Sequence, residues 1–140
     1  HDQSSAASDV YKRQGLEDVL NSEAVGEADV VILDSASALM PDDLDDKQRF
    51  DLMQRLRKIT AEGRSIMLCL DPDEMNHKLL HNMRASAEVV LDLSTALIGG
   101  DLKRSIVVTR FLRAAGPVQT SVGWRVEPSM GFIVDITAVS

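Results

Sequence analysis

Residues 28–35 read ADVVILDS. Ala28–Leu33 is an apolar run broken only by Asp29; it is short, rich in Val and Ile, and ends in Asp34-Ser35. Such a run fits a strand buried on both faces, as in a parallel sheet. In open α/β sheets, ligands sit beyond the carboxyl ends of the strands. A carboxylate at Asp34 can there hold a water on Mg²⁺ bound to nucleotide phosphates. The Ser35 hydroxyl can hydrogen-bond in the same cluster. The competing reading is that Asp34 only ends a strand, because Asp favours turns and helix caps.

Working outward, Gly15 to Gly26 reads as a short helix with Leu16, Val19, Leu20 and Ala24 on one side. After the strand, PDDLDD (41–46) is an acidic loop. Lys47–Glu62 is an amphipathic helix with Phe50, Met53, Leu56 and Ile59 at helical spacing, closed by Gly63. Ser65–Leu70 (SIMLCL) is a second strand, stopped by Asp71-Pro72. Asp73–Arg84 is a second helix with Met75, Leu79, Leu80 and Met83 inward. Glu88–Leu93 is a third strand. The order β-α-β-α-β implies right-handed crossovers and a parallel sheet.

The pattern then changes. Gly99-Gly100-Asp101 is a turn signal between 93–98 and 103–111, and Ser105–Arg110 reads as a strand. Val122–Val126 and Phe132–Ile136 flank Pro128-Ser129-Met130-Gly131, a second hairpin. The C-terminal third is therefore expected to be antiparallel.

Composition narrows the function. The chain has 140 residues, 44% hydrophobic and 26% charged, enough for one packed domain. With 22 acidic against 15 basic side chains the net charge is −7. No nucleic-acid partner is expected, because phosphate-backbone binding needs a basic face. Cys69 is the one cysteine, which rules out an intrachain disulfide and a Cys-based zinc site. No apolar run reaches the roughly 18 residues of a membrane-crossing helix, and no secretory leader is expected.

Residues 1–14, HDQSSAASDVYKRQ, show no period and no apolar face. They resemble translated adapter sequence, or else form a disordered arm, so the native sequence is expected to begin near Gly15.

Other candidate groups have plainer readings. His77 and His81 share a helix face at i and i+4, but Lys78 stands where a zinc-protease helix carries Glu, so a solvated face is expected. Cys69 reads as a small buried apolar residue in its strand. Asp42, Asp43, Asp45 and Asp46 lack the Gly and terminal Glu of a calcium loop and suit a helix N-terminus. Arg104, Arg110 and Arg113 surround one predicted strand. Alternation places Arg104 and Arg110 on one face, where an arginine can reach a phosphate in a neighbouring subunit or serve as ordinary surface charge. A Gly-rich loop ending in Gly-Lys-Ser/Thr is absent from the sequence.

The combination of ADVVILDSASAL, SIMLCLDP, RASAEVVLDLSTALIGGDL, a strand ending in Arg110, and GWRVEPSMGFIVD resembles the KaiC-like branch of the RecA-type P-loop ATPases. Within that branch it is most similar to the archaellum (archaeal flagellum) accessory ATP-binding proteins. The likeness covers about residues 16–140. It implies an α/β fold: a partial RecA-like parallel sheet with flanking helices and a C-terminal antiparallel hairpin region. Residues 15–140 would be the C-terminal part of a RecA/KaiC-like ATP-binding domain lacking the P-loop.

The resemblance also implies a function and a site. ATP and Mg would be the cofactors of the full-length protein, with ATP a regulatory ligand and hydrolysis weak or absent. Asp34 and Ser35 match Walker B positions, Asp34 meeting Mg through water. Asp71 falls at a sensor-like position after the strand next to the P-loop strand. Arg110 falls where relatives carry a basic residue facing the adjacent subunit's nucleotide. The implied partners are a homo-oligomeric ring, the archaellum motor ATPase and the membrane platform protein, at the cytoplasmic face of the cell membrane. The alternatives are a generic KaiC/RecA-like ATPase, or a non-enzymatic interaction domain without a P-loop. In RecA-type sheets the P-loop strand lies between the strands matching 65–70 and 88–93. Without it those edges should stay apart or pair with each other, the chain should aggregate, and ATP should bind poorly.

Overall fold

The computed structural model describes residues 15–135. Residues 1–14 and the end of the last expected strand at Ile136 lie outside the described residues. The chain divides into two units, up to Ala85 and from Ser86.

In the first unit the expected single helix is two. Residues 15–20 (α1) are helical, and Glu23–Glu27 (α2) follows after a turn. Ser22 restarts the helix: its hydroxyl accepts from the Val25 N–H at 3.4 Å and donates to the Val19 carbonyl at 2.7 Å. Strand β1 (Val30–Leu33) leads into a 3₁₀ turn at Ala36–Leu39. Helix α3 (Asp46–Ala61) opens with a capping box. The Gln48 N–H donates to Asp45 Oδ1 at 2.8 Å, and the Asp45 N–H donates to Gln48 Oε1 at 2.9 Å. It ends at Gly63, whose φ of 80° only glycine adopts freely. Strand β2 (Ser65–Leu68), a 3₁₀ turn at Pro72–Glu74 and helix α4 (His77–Ser86) complete the unit.

β1 and β2 pair in parallel, Val30 with Ser65 through Leu33 with Leu68. The crossover helix α3 contributes Met53, Leu56 and Ile59 to the core, and α4 contributes Leu79 and Met83. Two expectations change. The α3 stripe contains Arg49 and excludes Phe50, which is exposed. Arg49 donates from Nη1 to the Leu44 carbonyl at 2.6 Å, which satisfies its buried head. The β1 strand is buried on one face only. Val31 and Leu33 are in the core, while Val30, Ile32 and Met67 are exposed on the other face. Strand alternation makes this split inevitable where one layer of helices packs on a sheet.

The second unit is a four-stranded antiparallel meander, β3 (Val89–Ile98), β4 (Asp101–Phe111), β5 (Ser121–Glu127) and β6 (Gly131–Asp135). The β3 strand runs five residues further than its apolar core suggests, up to a two-residue loop. Gly99 and Gly100, with φ 60° and 84°, supply the left-handed conformations that a tight hairpin needs. The third strand therefore joins β4 and not β2, so the parallel sheet has two strands rather than three.

The register sorts the side chains of this sheet onto two faces. Ser94 and Ser105 pair on one, which also carries Val107 and Ile133, with their hydroxyls 2.8 Å apart. Leu93, Leu97, Leu102, Val126, Phe132 and Val134 share the other face, and all are exposed.

Candidate functional site

The carboxyl ends of β1 and β2 are tied together residue by residue. The Cys69 N–H donates to the Leu33 carbonyl at 3.0 Å. The Ala36 N–H donates to the Cys69 carbonyl at 2.9 Å. The Ser37 hydroxyl lies 2.8 Å from the Ser35 hydroxyl and accepts from the Asp71 N–H at 3.0 Å. Ser37 is only 1% exposed, so its hydroxyl is a fixed link between the two strand ends. These bonds bring Asp34, Ser35 and Asp71 to one end of the sheet, the end where open α/β sheets place ligands. The Asp34–Ser35 peptide is cis.

The two aspartates differ. Asp71 caps the 3₁₀ turn, accepting from the Asp73 N–H at 3.0 Å. Asp34 is exposed and has no side-chain partner among the described residues. The 3₁₀ turn after β1 has Ser35 at its cap position, with no side-chain cap bond. The plain role for a strand-end aspartate is therefore filled by Asp71 and left unfilled by Asp34.

Arg110 belongs to the second unit. It is half-buried on β4 opposite Val90, and its Nε is buried without a hydrogen-bond partner. Val90 faces Arg110 while Leu91 faces Val108, so Thr109 is an extra residue. This bulge interrupts the alternation between Arg104 and Arg110, and spacing alone does not put them on one face. Arg104 lies over Trp124, 5.7 Å from the ring centre, and Trp124 packs on Phe132 with centroids 5.5 Å apart. Arg113 pairs with Glu88 at 2.7 Å.

Cys69 lies one residue past β2 and is half-buried rather than fully buried. Its backbone, not its thiol, serves the site. His77 and His81 are exposed on α4, as expected. Among the described residues, no group of three or more His, Cys, Asp or Glu side chains could hold a metal ion, and no helix is long and apolar enough to cross a membrane.

Sequence reasoning missed Ser37. The alternation of serines in DSAS (34–37) was the available signal, since a turn after a strand can aim two such hydroxyls at each other.

This architecture, a parallel βαβ unit with a polar strand end followed by an antiparallel meander, is that of the KaiC-like, RecA-type fold. The structure matches a KaiC-like protein of Pyrococcus horikoshii OT3 with a TM-score of 0.60 at 15% identity, over 89% of this chain and 54% of that one. It matches the crystal structure of flagellar accessory protein FlaH from Methanocaldococcus jannaschii with a TM-score of 0.76, over 86% of this chain and 54% of that one. By sequence it is 34% identical to the archaeal flagellar ATP-binding protein FlaH of M. jannaschii over 94% of this chain and 57% of the relative. Against FlaH of Methanococcus voltae the identity is 31%, over 86% and 53%. The chain is a homologue of the FlaH proteins, and it spans about half the length of the curated relatives it matches. No protein-family profile matches it.

Proposed function

We propose that this chain is part of an ATP-binding protein of the archaellum, and that Asp34 is the carboxylate serving its Mg-ATP. The observation that carries the reading is the availability of Asp34: exposed, at a parallel strand end, and engaged by no cap or counter-ion among the described residues. The FlaH relatives, named as ATP-binding, support ATP as the nucleotide.

Bound Mg-ATP would supply a cation neutralising the phosphates. Asp34 suits the metal side of such a site because a carboxylate there can accept from a metal-bound water. The Ser35 hydroxyl, held by Ser37, keeps the adjoining backbone in place. Asp71, already engaged as a cap, acts by fixing the turn beside Asp34 rather than by touching the ligand. Arg110 is the candidate for a phosphate contact across a subunit boundary in a homo-oligomeric ring. The fit is partial: the described residues include no Gly-rich loop running into Lys-Ser/Thr, and no phosphate cradle is assigned to them. ATP then serves as a regulatory ligand with weak or no hydrolysis. The assembly meets the motor ATPase and membrane platform at the cytoplasmic face of the membrane.

The test is calorimetric titration of Mg-ATP into the whole ATP-binding protein of which this chain is proposed to be part, with and without Asp34→Asn. A tenfold or greater loss of affinity, about 1.4 kcal/mol per tenfold, with unchanged stability without ATP, is expected. Equal affinities remove Asp34 from the site. Micromolar Mg-ATP binding by the 140-residue chain itself would show that the phosphate contacts lie within it after all.

A further inference from the structure

We propose that the cleft between α3 and α4 binds a small phosphate-type anion, inorganic phosphate or a phosphate monoester. This inference does not rest on the nucleotide reading.

The cleft, about 310 Å³, is lined by Arg49, His77, Lys78, His81 and Asn82. That volume is near the lower bound of about 300 Å³ for small-molecule sites. Every lining side chain can offer an N–H and none is a carboxylate, in a chain with 22 acidic side chains against 15 basic. The spacing explains the convergence. His77 and His81, and Lys78 and Asn82, are i, i+4 pairs, so all four share one side of α4. Arg49 closes the cleft from α3.

Arg49 is a prepared donor rather than a loose surface charge. Its side chain is 11% exposed, and Nη1 is anchored on the Leu44 carbonyl at 2.6 Å. Its other partner, Asp46, has a carboxylate that is 95% exposed and adds a competing negative charge beside it. A guanidinium already ordered loses little freedom when an anion arrives.

The start of α4 supplies an independent argument. The first turn of a helix favours negative charge, because the backbone dipoles leave that end positive. The first turn of α3 follows this rule with Asp46, whereas α4 opens with His77 and Lys78 and no acid. The Lys78 charge is unfavourable beside a positive helix end, and a bound anion relieves that repulsion. The Lys78 and Leu79 N–H groups already donate to Asn76 Oδ1 at 3.0 and 3.1 Å. Side chains must therefore hold the ligand, which favours a doubly charged phosphate over a single carboxylate. The absence of a three-ligand metal group among the described residues leaves the histidine pair without the partners a zinc ion needs.

The experiment titrates the 140-residue chain with inorganic phosphate, against chloride at matched ionic strength, reading the imidazole signals of His77 and His81 by NMR. Equilibrium dialysis with radiolabelled phosphate gives the stoichiometry if the lines broaden. The expected result is a saturable shift of both histidines and about one phosphate per chain. Lys78→Glu should weaken binding at least tenfold, and Lys78→Gln less, each with an unchanged circular dichroism spectrum. Dimethyl phosphate, a singly charged diester, should bind more weakly than phosphate. A shift that fails to saturate, that chloride reproduces, or that persists unchanged in both Lys78 variants would overturn the proposal.

Discussion

Neighbouring residues in β1 should respond very unequally to the same kind of truncation. Leu33 is 9% exposed and packs in the core, whereas Ile32 is 60% exposed on the bare face of the sheet. Leu33→Ala removes buried carbon worth about 0.8 kcal/mol per methylene and leaves a cavity costing about 24 cal/mol per Å³, so about 3 kcal/mol is expected. Ile32→Ala removes a side chain that is mostly in water already. Full burial of such a side chain is worth about 1.5–3 kcal/mol, so the loss should stay near or below about 1 kcal/mol, with no cavity left behind. For a chain of this size each kcal/mol moves Tm by about 3–4 °C. Leu33→Ala should therefore lower Tm by about 10 °C and Ile32→Ala by about 3 °C. The assay is thermal and urea unfolding followed by circular dichroism, in dilute protein shown to be monomeric by light scattering. Equal losses for the two variants in monomeric protein would refute the one-sided burial of β1.

Other predictions follow from the same structure. Ser37→Ala should cost about 1–3 kcal/mol, because it leaves the Asp71 N–H without its acceptor; denaturant unfolding reads the change. Gly99→Val with Gly100→Val forces two left-handed residues, at about 1–2 kcal/mol each, and should lower Tm and broaden the amide signals of β3 and β4. The exposed apolar face of the meander should make the chain self-associate. Leu93→Lys with Leu97→Lys should shift it towards monomer in sedimentation velocity, and unchanged sedimentation would mean that this face is not the one associating.

Much of the fold was readable because period and punctuation agree. The helix over α3 was legible from Met53, Leu56 and Ile59 together with Gly63, and the β3–β4 hairpin from Gly99-Gly100. Phe50 misled because spacing every three residues is only one track on a helix. Arg49 on the neighbouring track supplies a long apolar stem and a head that reaches the Leu44 carbonyl. The course of β3 was not legible for a different reason. An apolar run such as VVLDL fits a parallel or an antiparallel partner equally, and the partner is chosen by the turn ten residues later. The two-residue glycine loop makes pairing with β4 the local and entropically cheap outcome.

The strand-end aspartates show where sequence reading stops and geometry takes over. Asp34 and Asp71 are the same residue type at the same end of one parallel pair, Asp34 one residue past β1 and Asp71 three residues past β2. Residue type assigns both to turn or ligand without preference. What separates them is the next residues along the chain. Pro72 starts a turn whose third residue reaches back by its N–H to Asp71, and the Asp73 N–H takes up the carboxylate. After Asp34 the corresponding work is done by Ser35 and Ser37 through their hydroxyls, with the Ser37 oxygen reaching across to the Asp71 backbone. The serines relieve Asp34 of a structural duty, and a carboxylate so relieved is free to serve chemistry. Asp34→Asn should thus leave stability unchanged while Asp71→Ala lowers it by about 0.5–2 kcal/mol, the ordinary cost of losing a cap. If the two substitutions destabilise equally, the division of labour between the strand ends is wrong, and with it the case for Asp34 as a ligand.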